Sequence, residues 1–427
     1  MKRAAIVSII LISWPCSVST QVINLQSINV FRFDSVPLTA RTVAMGGTGI
    51  GMPDDVTAAI TNPAAHRLLV RGEVAGSLFW DNPSIPVITG ATLTRNPAGT
   101  LVPVRLQLQN RSQATSPSFF TAVAYPKSRA TIAGYWLLIA QDPSNFSLRE
   151  SSTGGNSVEL APGAGDTNSH YDFSQASLAV SMSPTMTLGI GAAVVMNHVK
   201  IRTIVPERLV TRPPPAPPTV VQRQLNAETS PQPRVGYRVG VSWAPASRVH
   251  IGGVFEKGTE HQASIELQQD FTSTTQLPTA ALHVPDRVGL GVGVRVTETL
   301  RVTADVKKVR YSQLKPFLAS VLQTAPADET TLDLEDATEL RVGAEYVIPF
   351  ASKAAVLRAG LWHDSAHSLV YTGPDPLLRE GFAERLGSQT HATFGAGVVI
   401  GSVEIAGGAD LSDSRQTVIL STTVRFK

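Results

Sequence analysis

The chain has 427 residues and a formal net charge of +3, with 16% charged and 43% hydrophobic residues. This near-neutral balance lacks the concentrated basic face that nucleic acid binding requires. The mean hydropathy is +0.06, and beyond the N-terminus no apolar run reaches the roughly 18 residues that a membrane helix needs. Two classes fit these values: a large secreted soluble protein, and a membrane β-barrel whose lipid-facing and lumen-facing residues alternate and cancel.

The first 19 residues have the layout of a secretory signal peptide. Lys2 and Arg3 form a positive start, residues 4–14 are almost entirely apolar, and small residues follow up to Ser19. That order predicts export and cleavage near Ser19 or Thr20. The only cysteine of the chain lies in this segment, so the exported chain would hold no disulfide.

Three short motifs follow, and each suggests a turn more strongly than a ligand site. The glycine-rich run 46–51 lacks the preceding strand and the following Lys-Ser/Thr of a phosphate-binding loop, and we interpret it as a tight turn in which glycine reaches positive φ. Asp54 and Asp55 are interpreted as a turn or helix cap, because a calcium site needs six or more oxygen ligands. Asn62-Pro63 is a turn signal in its own right. No metal or cofactor is predicted.

The remainder of the chain alternates between apolar and polar residues with a period of two. In 287–296, valine and leucine occupy one face, while glycine and arginine occupy the other; 235–243, 340–348 and 403–410 follow the same pattern. Successive side chains of a strand point to opposite faces, whereas a helix would mix the two classes. This pattern predicts β-strands with one apolar face.

Fourteen such strands are predicted, and they alternate between tight connections and long polar insertions. They are 72–80, 118–126, 129–140, 172–182, 185–197, 234–244, 247–257, 286–296, 299–309, 339–348, 353–363, 390–400, 402–410 and 416–426. The long insertions are 81–117, 141–171, 198–233, 258–285, 311–338 and 364–389. Short turns on one side and long loops on the other are the arrangement of an outer-membrane barrel. Two further stretches, 87–95 and 260–270, are interpreted as loop hairpins above the membrane.

Aromatic residues near strand ends provide a second indication. Tyr125, Trp243, Tyr346 and Phe426 end descending strands and share the apolar phase. Aromatic residues of this kind favour the membrane–water interface. A soluble β-sandwich would also alternate, with its apolar face inward, but it would not combine glycine and charge on the other face of nearly every strand. The fold class predicted is therefore all-β: a transmembrane antiparallel barrel.

Residues 38–49, with Ala44-Met45-Gly46-Gly47, and 62–65, Asn-Pro-Ala-Ala, resemble the N-terminal segment of the FadL-like outer-membrane transporters for long-chain fatty acids and aromatic hydrocarbons. Residues 284–291 and 311–314 resemble later hairpins of that family. Similar Ala-Met-Gly-Gly and Asn-Pro-Ala segments occur in barrel subunits that resemble the PorV component of a secretion machine. Lys427, after the closing aromatic residue, departs from the usual pattern.

The resemblance implies a barrel at 72–427 with the preceding segment, 20–71, folded into the lumen as a hatch. It also implies candidates for the hatch and gating residues: Met45, Gly46, Gly47, Asn62, Pro63 and Ala64.

Charged residues in the inward phase are the second group of candidates. They are Arg238, Arg287, Arg295, Arg301, Asp305, Arg341, Glu345, Arg358, Glu404 and Asp410. One interpretation is that they pair with one another and with the hatch. The other is that some of the arginines hold the carboxylate of a ligand, and the candidates are Arg238, Arg287, Arg341 and Arg358.

The predicted function is passive uptake of a hydrophobic small molecule, a long-chain fatty acid or a hydrocarbon, through a plugged barrel in the outer membrane. The alternative is a barrel subunit of a secretion or surface-assembly complex. The expected partners are outer-membrane lipid, the hydrophobic ligand, and barrel-assembly machinery that contacts the C-terminal strand ending at Phe426.

A hydrolase within the barrel is the least favoured function. His363, Asp364, Ser365 and His367 are the one cluster of suitable residue types. A catalytic triad needs a base oriented by a third group, with the nucleophile in reach, and adjacent residues of an extended chain point apart. No enzyme activity is predicted.

Overall fold

The computed structural model describes residues 38–426 apart from 84–87, 96–100, 111–115, 128, 152–158, 161–166, 186, 212–218, 230–231, 270–272, 277–278, 322–328, 368, 375–386 and 414. The predicted signal peptide, the first part of the predicted hatch and Lys427 lie outside the described residues, so the boundaries at 19 and 20 stay predictions.

Fourteen antiparallel strands form a closed barrel. They are β1 (Gly72–Pro83), β2 (Ser116–Lys127), β3 (Ala130–Ser151), β4 (Thr167–Met182), β5 (Leu188–Thr211), β6 (Arg234–Ala246), β7 (Val249–Lys257), β8 (Arg287–Arg295), β9 (Leu300–Val309), β10 (Ala337–Phe350), β11 (Lys353–Asp364), β12 (Gln389–Ile400), β13 (Val403–Ser412) and β14 (Arg415–Phe426). Each strand pairs with the next. The seam closes between β1 and β14, from Gly72 opposite Phe426 to Pro83 opposite Arg415.

The alternation read in the sequence separates an apolar outer wall from a polar inner wall. On β8, Leu290 is 61% exposed on the outside, whereas the glycines beside it face the lumen. The aromatics Tyr125, Trp243, Tyr346 and Phe426 all lie on the outer wall. This arrangement suits lipid, because a charge on the outer wall would cost several kcal/mol at mid-membrane, whereas the lumen tolerates it.

The short connections lie at one end of the barrel, called here the turn end, and the long segments lie at the other, the loop end. The predicted hairpin at 87–95 is confirmed as Ile88–Arg95 paired with Leu101–Asn110, and the one at 260–270 as Glu260–Gln269 paired with Ser273–Gln276 and Ala280–His283.

Two predicted loops are wrong in extent. β3 continues to Ser151 and β5 to Thr211, and Thr219–Thr229 pairs back onto β5. Beyond the membrane there is no lipid to impose apolar alternation, although the backbone ladder continues. The pattern therefore fades before the strand ends.

Short helices complete the described structure. α1 (Ala40–Ala44), α2 (Ala58–Thr61) and a 3-10 helix at Pro63–Leu68 lie in the N-terminal segment. A second group lies at the loop end: 3-10 helices at Tyr311–Leu314 and Glu329–Thr331, and α3 (Lys315–Val321), beside the small sheet Leu332–Asp333 with Val370–Tyr371. Each helix among the described residues is too short or too polar to cross a membrane.

Candidate functional site

The N-terminal segment crosses the lumen as a buried hatch whose turn depends on glycine. Thr39 caps α1 by accepting a hydrogen bond from the Thr42 amide at 3.2 Å. Gly46 and Gly47 then take φ of 68° and 73°, a left-handed region that glycine reaches without strain. The predicted tight turn is confirmed, and it faces the middle of the barrel wall.

A belt of lumen-facing glycines receives this backbone. We call it the glycine belt: Gly191, Gly240, Gly252, Gly291, Gly343, Gly360, Gly395 and Gly408, from β5 to β13. A Cβ atom on Gly252 would lie 2.0 Å from the Ile50 carbonyl oxygen, and one on Gly360 would lie 2.3 Å from the Gly46 amide nitrogen. Both hypothetical Cβ distances are far below van der Waals contact, so a larger residue would not fit at either glycine. The hatch backbone therefore packs directly against the backbone of the wall.

Asn62 fixes the second half of the hatch. Its side-chain amide donates to the carbonyls of Ile50 and Val241, both at 3.0 Å, and its Oδ1 accepts from the Ala64 amide at 3.1 Å. The residue is fully buried. Asn62 therefore joins two parts of the hatch to β6, and Pro63 follows against Gly191 of β5.

Near the turn end, buried ion pairs join the hatch to the wall. We call this group the charge layer: Arg41, Asp54, Asp55, Glu73, Arg301, Glu345, Arg358, Glu404 and Arg425. Arg41 contacts Asp54 at 2.7 Å and Glu345 at 2.9 Å. Arg301 also contacts Asp54 at 2.7 Å.

The charge layer continues along the wall. Arg358 lies between Glu345, at 2.8 Å, and Glu404, at 2.6 Å. Arg425 links Glu404 at 3.2 Å to Glu73 at 2.8 Å, and Glu73 also accepts from the Val56 amide of the hatch. Pairing of the inward charges with one another and with the hatch is thus the arrangement present in this layer.

Asp54 and Asp55 both form ion pairs in the charge layer, and Asp55 also closes a local turn. Asp55 accepts from the Thr57 amide at 2.9 Å, which closes a turn before α2, and it pairs with Arg41 at 2.9 Å. Among the described residues, no group of histidine, cysteine or acidic side chains is suited to a metal ion.

Closer to the loop end, Arg238 and Arg341 each contact both wall and hatch. Arg238 is hydrogen-bonded to Glu256 and donates to the Ala59 carbonyl at 3.1 Å. Arg341 donates to Glu339 at 2.8 Å and to the Gly46 carbonyl at 3.0 Å.

Arg341 also lies over an aromatic stack. Its guanidinium carbon is 4.4 Å from the Trp362 ring centroid, and Trp362 stacks on His391 at 3.7 Å. Asp410 accepts from the Trp362 indole at 3.0 Å and contacts His391 Nδ1 at 2.8 Å. A cation over an indole face is stabilised by the ring quadrupole, so the stack holds Arg341 against the hatch turn.

A cavity of about 110 Å³ lies between the hatch and the inner wall. Its lining combines apolar and charged residues: Leu38, Ile50, Ile60, Leu137, Val254 and Val288 with Arg238, Glu256, Arg287, Asp305, Lys307 and Arg341. Three of the four predicted head-group arginines line it, and Arg358 lies in the charge layer instead. Among the predicted hatch residues, Gly47 lines the cavity, while Met45, Asn62, Pro63 and Ala64 pack against the glycine belt.

The barrel wall is irregular beside this cavity. The described pairing of β2 with β3 runs from Lys127 opposite Ala130 to Phe120 opposite Leu137. Just beyond that point, β3 has a bulge between Leu138 and Ala140. Leu137 itself lines the cavity, so the end of the described ladder lies next to the ligand-sized space.

The residues considered for a hydrolase contact neighbouring loop segments, and His367 also lies 3.6 Å from Asp364. His363 contacts Thr390 at 3.0 Å, whereas His367 contacts the Ser365 carbonyl at 2.9 Å and stacks on Tyr311. The Ser365 hydroxyl accepts from the Thr338 amide at 2.7 Å. These contacts hold loop segments together.

At the loop end, Asp286 joins the two segments on which the family resemblance of the later hairpins was based. It accepts from the Gly258 amide, Lys257 and the Gln313 side chain, each at 2.9 Å, and Gln313 accepts from the Asp286 amide at 2.8 Å. Burial opposes ionisation, but these donors outweigh it and lower the pKa of Asp286 to about 2.

The lowered pKa gives Asp286 a pH-dependent contribution to stability. A depressed carboxylate pKa stabilises above the unfolded value of about 3.9, and this contribution is lost as the pH falls through about 2. We expect Asp286→Asn to lower local stability by roughly 1–2 kcal/mol at pH 7, with the difference closing near pH 2. Hydrogen exchange of residues 311–314 measures it; an equal loss at both pH values would contradict the assignment.

Several members of the site were not predicted from the sequence. Arg41, Glu73 and Arg425 of the charge layer, Glu256, and the Trp362–His391 stack were missed. Glu256 could have been identified from the register of the β6–β7 hairpin, because it lies opposite Arg238 across the short turn after β6. For the hatch residue Arg41, no pattern in the sequence indicates its partners.

Comparisons with known proteins agree with this architecture. A family model described as "Outer membrane protein transport protein (OMPP1/FadL/TodX)" matches residues 146–368. A comparison with curated sequences gives no significant match. Among solved structures, a Pseudomonas aeruginosa FadL homologue is similar with a TM-score of 0.64 at 12% identity, over 92% of this chain and 98% of that one.

Two further structures are similar over most of their length. The toluene transporter TodX of P. putida has a TM-score of 0.59 at 14% identity, over 92% of this chain and 99% of that one. The toluene transporter TbuX of Ralstonia pickettii has a TM-score of 0.58 at 16% identity, over 92% of this chain and 100% of that one. These likenesses show the fold.

Proposed function

Because the chain belongs to the OMPP1/FadL/TodX family of outer membrane transport proteins, it is an outer-membrane channel for hydrophobic compounds and not an enzyme, and we propose that its ligands are single-ring aromatic molecules. The observation that carries this proposal is the cavity between the hatch and the inner wall. Its volume of about 110 Å³ is comparable with the roughly 150 Å³ cavity in which benzene binds an engineered protein. A long acyl chain needs more space, and two structurally similar proteins are toluene transporters.

The lining favours an aromatic ring that bears an acidic group. Five apolar side chains of the hatch and inner wall line the space, and four cations there face two carboxylates. Of the predicted head-group arginines, Arg238 and Arg341 are hydrogen-bonded to carboxylates and to the hatch backbone. Arg287 lines the cavity as the first residue of β8, at the loop end of that strand, and lies 3.5 Å from Glu256. Because a ligand from outside meets this end of the cavity first, we assign the ligand carboxylate to Arg287.

We expect Arg287→Met to weaken benzoate binding by about tenfold or more, since a hydrogen bond to a charged group contributes roughly 1.5–3 kcal/mol. Toluene binding should change less than twofold. Titration of the purified protein with both ligands measures the effect, and Arg295→Met, at the turn end of the same strand, serves as the control. An equal loss for both ligands would show that Arg287 shapes the cavity without holding the carboxylate.

The proposed exit is sideways through the wall. Below the cavity, the charge layer closes the way to the turn end with paired charges, and moving an apolar molecule through it would require those pairs to separate. Beside the cavity, the described β2–β3 ladder ends at Leu137 and β3 bulges. A hydrophobic ligand that leaves there enters lipid, so partitioning supplies the driving force.

Uptake of labelled toluene and benzoate by cells that lack their own transporters of this family tests the function. The protein should accelerate both above the empty-vector rate. Mass spectrometry of the purified protein should find a bound aromatic compound. Recovery of a stoichiometric partner chain with no uptake would favour the assembly-subunit alternative.

We also propose that the C-terminal strand presents the signal for barrel-assembly machinery. Phe426 ends β14 on the outer wall, 37% exposed, and its ring lies against Gly72 at the start of β1. The lipid partner is supported by the apolar outer wall described above.

A further inference from the structure

A row of buried polar side chains runs from the cavity towards the loop end. Arg238 donates to the Tyr135 hydroxyl at 3.3 Å, and Tyr135 contacts Gln175 at 2.5 Å. Gln175 contacts Asn197 at 2.7 Å. Asn197 continues to Thr259 at 3.0 Å, and Thr259 to His261 at 3.0 Å.

The directions of the hydrogen bonds in the row follow from the requirement that each hydroxyl proton has an acceptor. A guanidinium can only donate, so the Tyr135 oxygen accepts from Arg238 and its proton goes to Gln175 Oε1. The Gln175 amide therefore donates to Asn197 Oδ1. Reversing the two amides would leave the Tyr135 proton without an acceptor.

The direction of these hydrogen bonds determines which nitrogen of the His261 ring carries the proton. The Asn197 amide donates to Thr259 Oγ1, and among the described contacts of that hydroxyl His261 Nε2 is the atom that can accept its proton. Nε2 is then the acceptor, and the ring proton lies on Nδ1. His261 is neutral at pH 7, because burial, with Arg234, His198 and His283 nearby, lowers the pKa of its ring to about 4.

The Nδ1 proton has no acceptor among the described residues. His261 is 1% exposed, and its Nδ1 is a buried atom without a hydrogen-bond partner. A buried donor left in this state is costly, and native proteins rarely retain one without a function or a bound water. The donor lies in Glu260–Gln269, directly beyond β7, on the loop side of the row that starts at the cavity.

We propose that His261 Nδ1 is a ligand-binding group on the loop side of the cavity, which donates a hydrogen bond to hydrophobic molecules that carry an acceptor such as a carbonyl oxygen. The inference rests on the proposed function and narrows its ligand class. Aromatic ketones, aldehydes and acids would bind here before they reach the cavity, whereas pure hydrocarbons would gain nothing from this site.

Acetophenone and α-methylstyrene form the matched pair of probes, because they differ chiefly in a carbonyl oxygen in place of a methylene carbon. Titration of the purified full-length protein should show that His261→Phe weakens acetophenone binding by roughly 2- to 12-fold, the value of one net hydrogen bond. Binding of α-methylstyrene should change less than twofold. His261→Asn keeps an N–H close to the Nδ1 position and should recover part of the loss.

Histidine nitrogen NMR of the purified protein provides a readout that does not depend on transport. The spectrum should show the Nδ1-protonated tautomer, and acetophenone should shift that nitrogen while α-methylstyrene should not. Thr259→Val removes the directing hydroxyl and should yield a mixture of tautomers.

An Nε2-protonated ring, or an Nδ1 signal that acetophenone leaves unchanged because only an ordered water occupies the site, would overturn the inference. Failure of the proposed uptake function would give a different set of results. In that case the protein would accelerate the uptake of neither probe, while the NMR result would still decide the role of His261.

Discussion

Gly252→Ala is expected to force the hatch away from the wall. The new Cβ would lie 2.0 Å from the Ile50 carbonyl oxygen and 2.7 Å from the Asn62 amide nitrogen, and the first of these is a backbone atom that cannot rotate aside. Overpacking of this kind costs typically 1–3 kcal/mol and sometimes more. Since Asn62 joins the hatch to β6, the displacement should also break its hydrogen bonds to Ile50 and Val241.

Two measurements follow the displacement of the hatch. Conductance in planar bilayers should rise, because a loosened plug lets water and ions into the lumen, and hydrogen exchange of the amides in 46–64 should accelerate by at least tenfold. Gly76→Ala is the matched control, since its Cβ would approach nothing closer than the Phe120 carbonyl at 3.7 Å. Equal conductance for Gly252→Ala and Gly76→Ala would show that the hatch does not depend on close contact with the glycine belt.

Arg41→Met should detach the hatch at the turn end. Arg41 contacts Asp54, Asp55 and Glu345 at 2.7–2.9 Å, and the Glu345 side chain is 7% exposed. Removing one partner of a buried ion pair leaves an uncompensated charge and costs about 3–5 kcal/mol. Arg301 and Arg358 remain beside the carboxylates, so we expect the lower part of that range.

Urea unfolding in lipid vesicles and hydrogen exchange of residues 40–58 measure this loss. Arg248→Met is the control at the same end of the barrel, because the Arg248–Glu298 pair is 3.5 Å apart with side chains 59% and 81% exposed. Such a surface pair contributes about 0–1 kcal/mol. If Arg41→Met were as mild as the control, the charge layer would not anchor the hatch.

The strands were predictable because lipid and lumen impose opposite demands on alternate residues. The stretch 287–296 illustrates this, since its period of two was sufficient to predict β8 to within one residue at each end. Where β3 and β5 leave the membrane, that contrast disappears, and the sequence no longer marks their ends. The loop-end helices at 311–321 depend on tertiary contacts, such as Gln313 with Asp286, that no local pattern encodes.

The sequence predicted which kinds of residue line the inner wall, but it did not predict all of the ion pairs that they form. Arg238 opposite Glu256, and Glu345 opposite Arg358, lie in hairpins with short turns, so counting from the turn gives the pairing. Arg41 with Glu345 joins residues 304 positions apart through the lumen, which counting cannot reach. The inward glycines were visible in the sequence, yet their meaning required the position of the hatch backbone.

The seam between β1 and β14 constrains the order of assembly. Gly72 lies opposite Phe426, so the cylinder closes by joining the start of the barrel sequence to its end, a contact of maximal sequence separation that should form late. The hatch precedes β1 and lies within the closed wall, held to nine consecutive strands by the glycine belt and by Asp305 of β9. A curved, open sheet must therefore wrap around the N-terminal segment before its edges meet, and that segment serves as the template on which the cylinder is built.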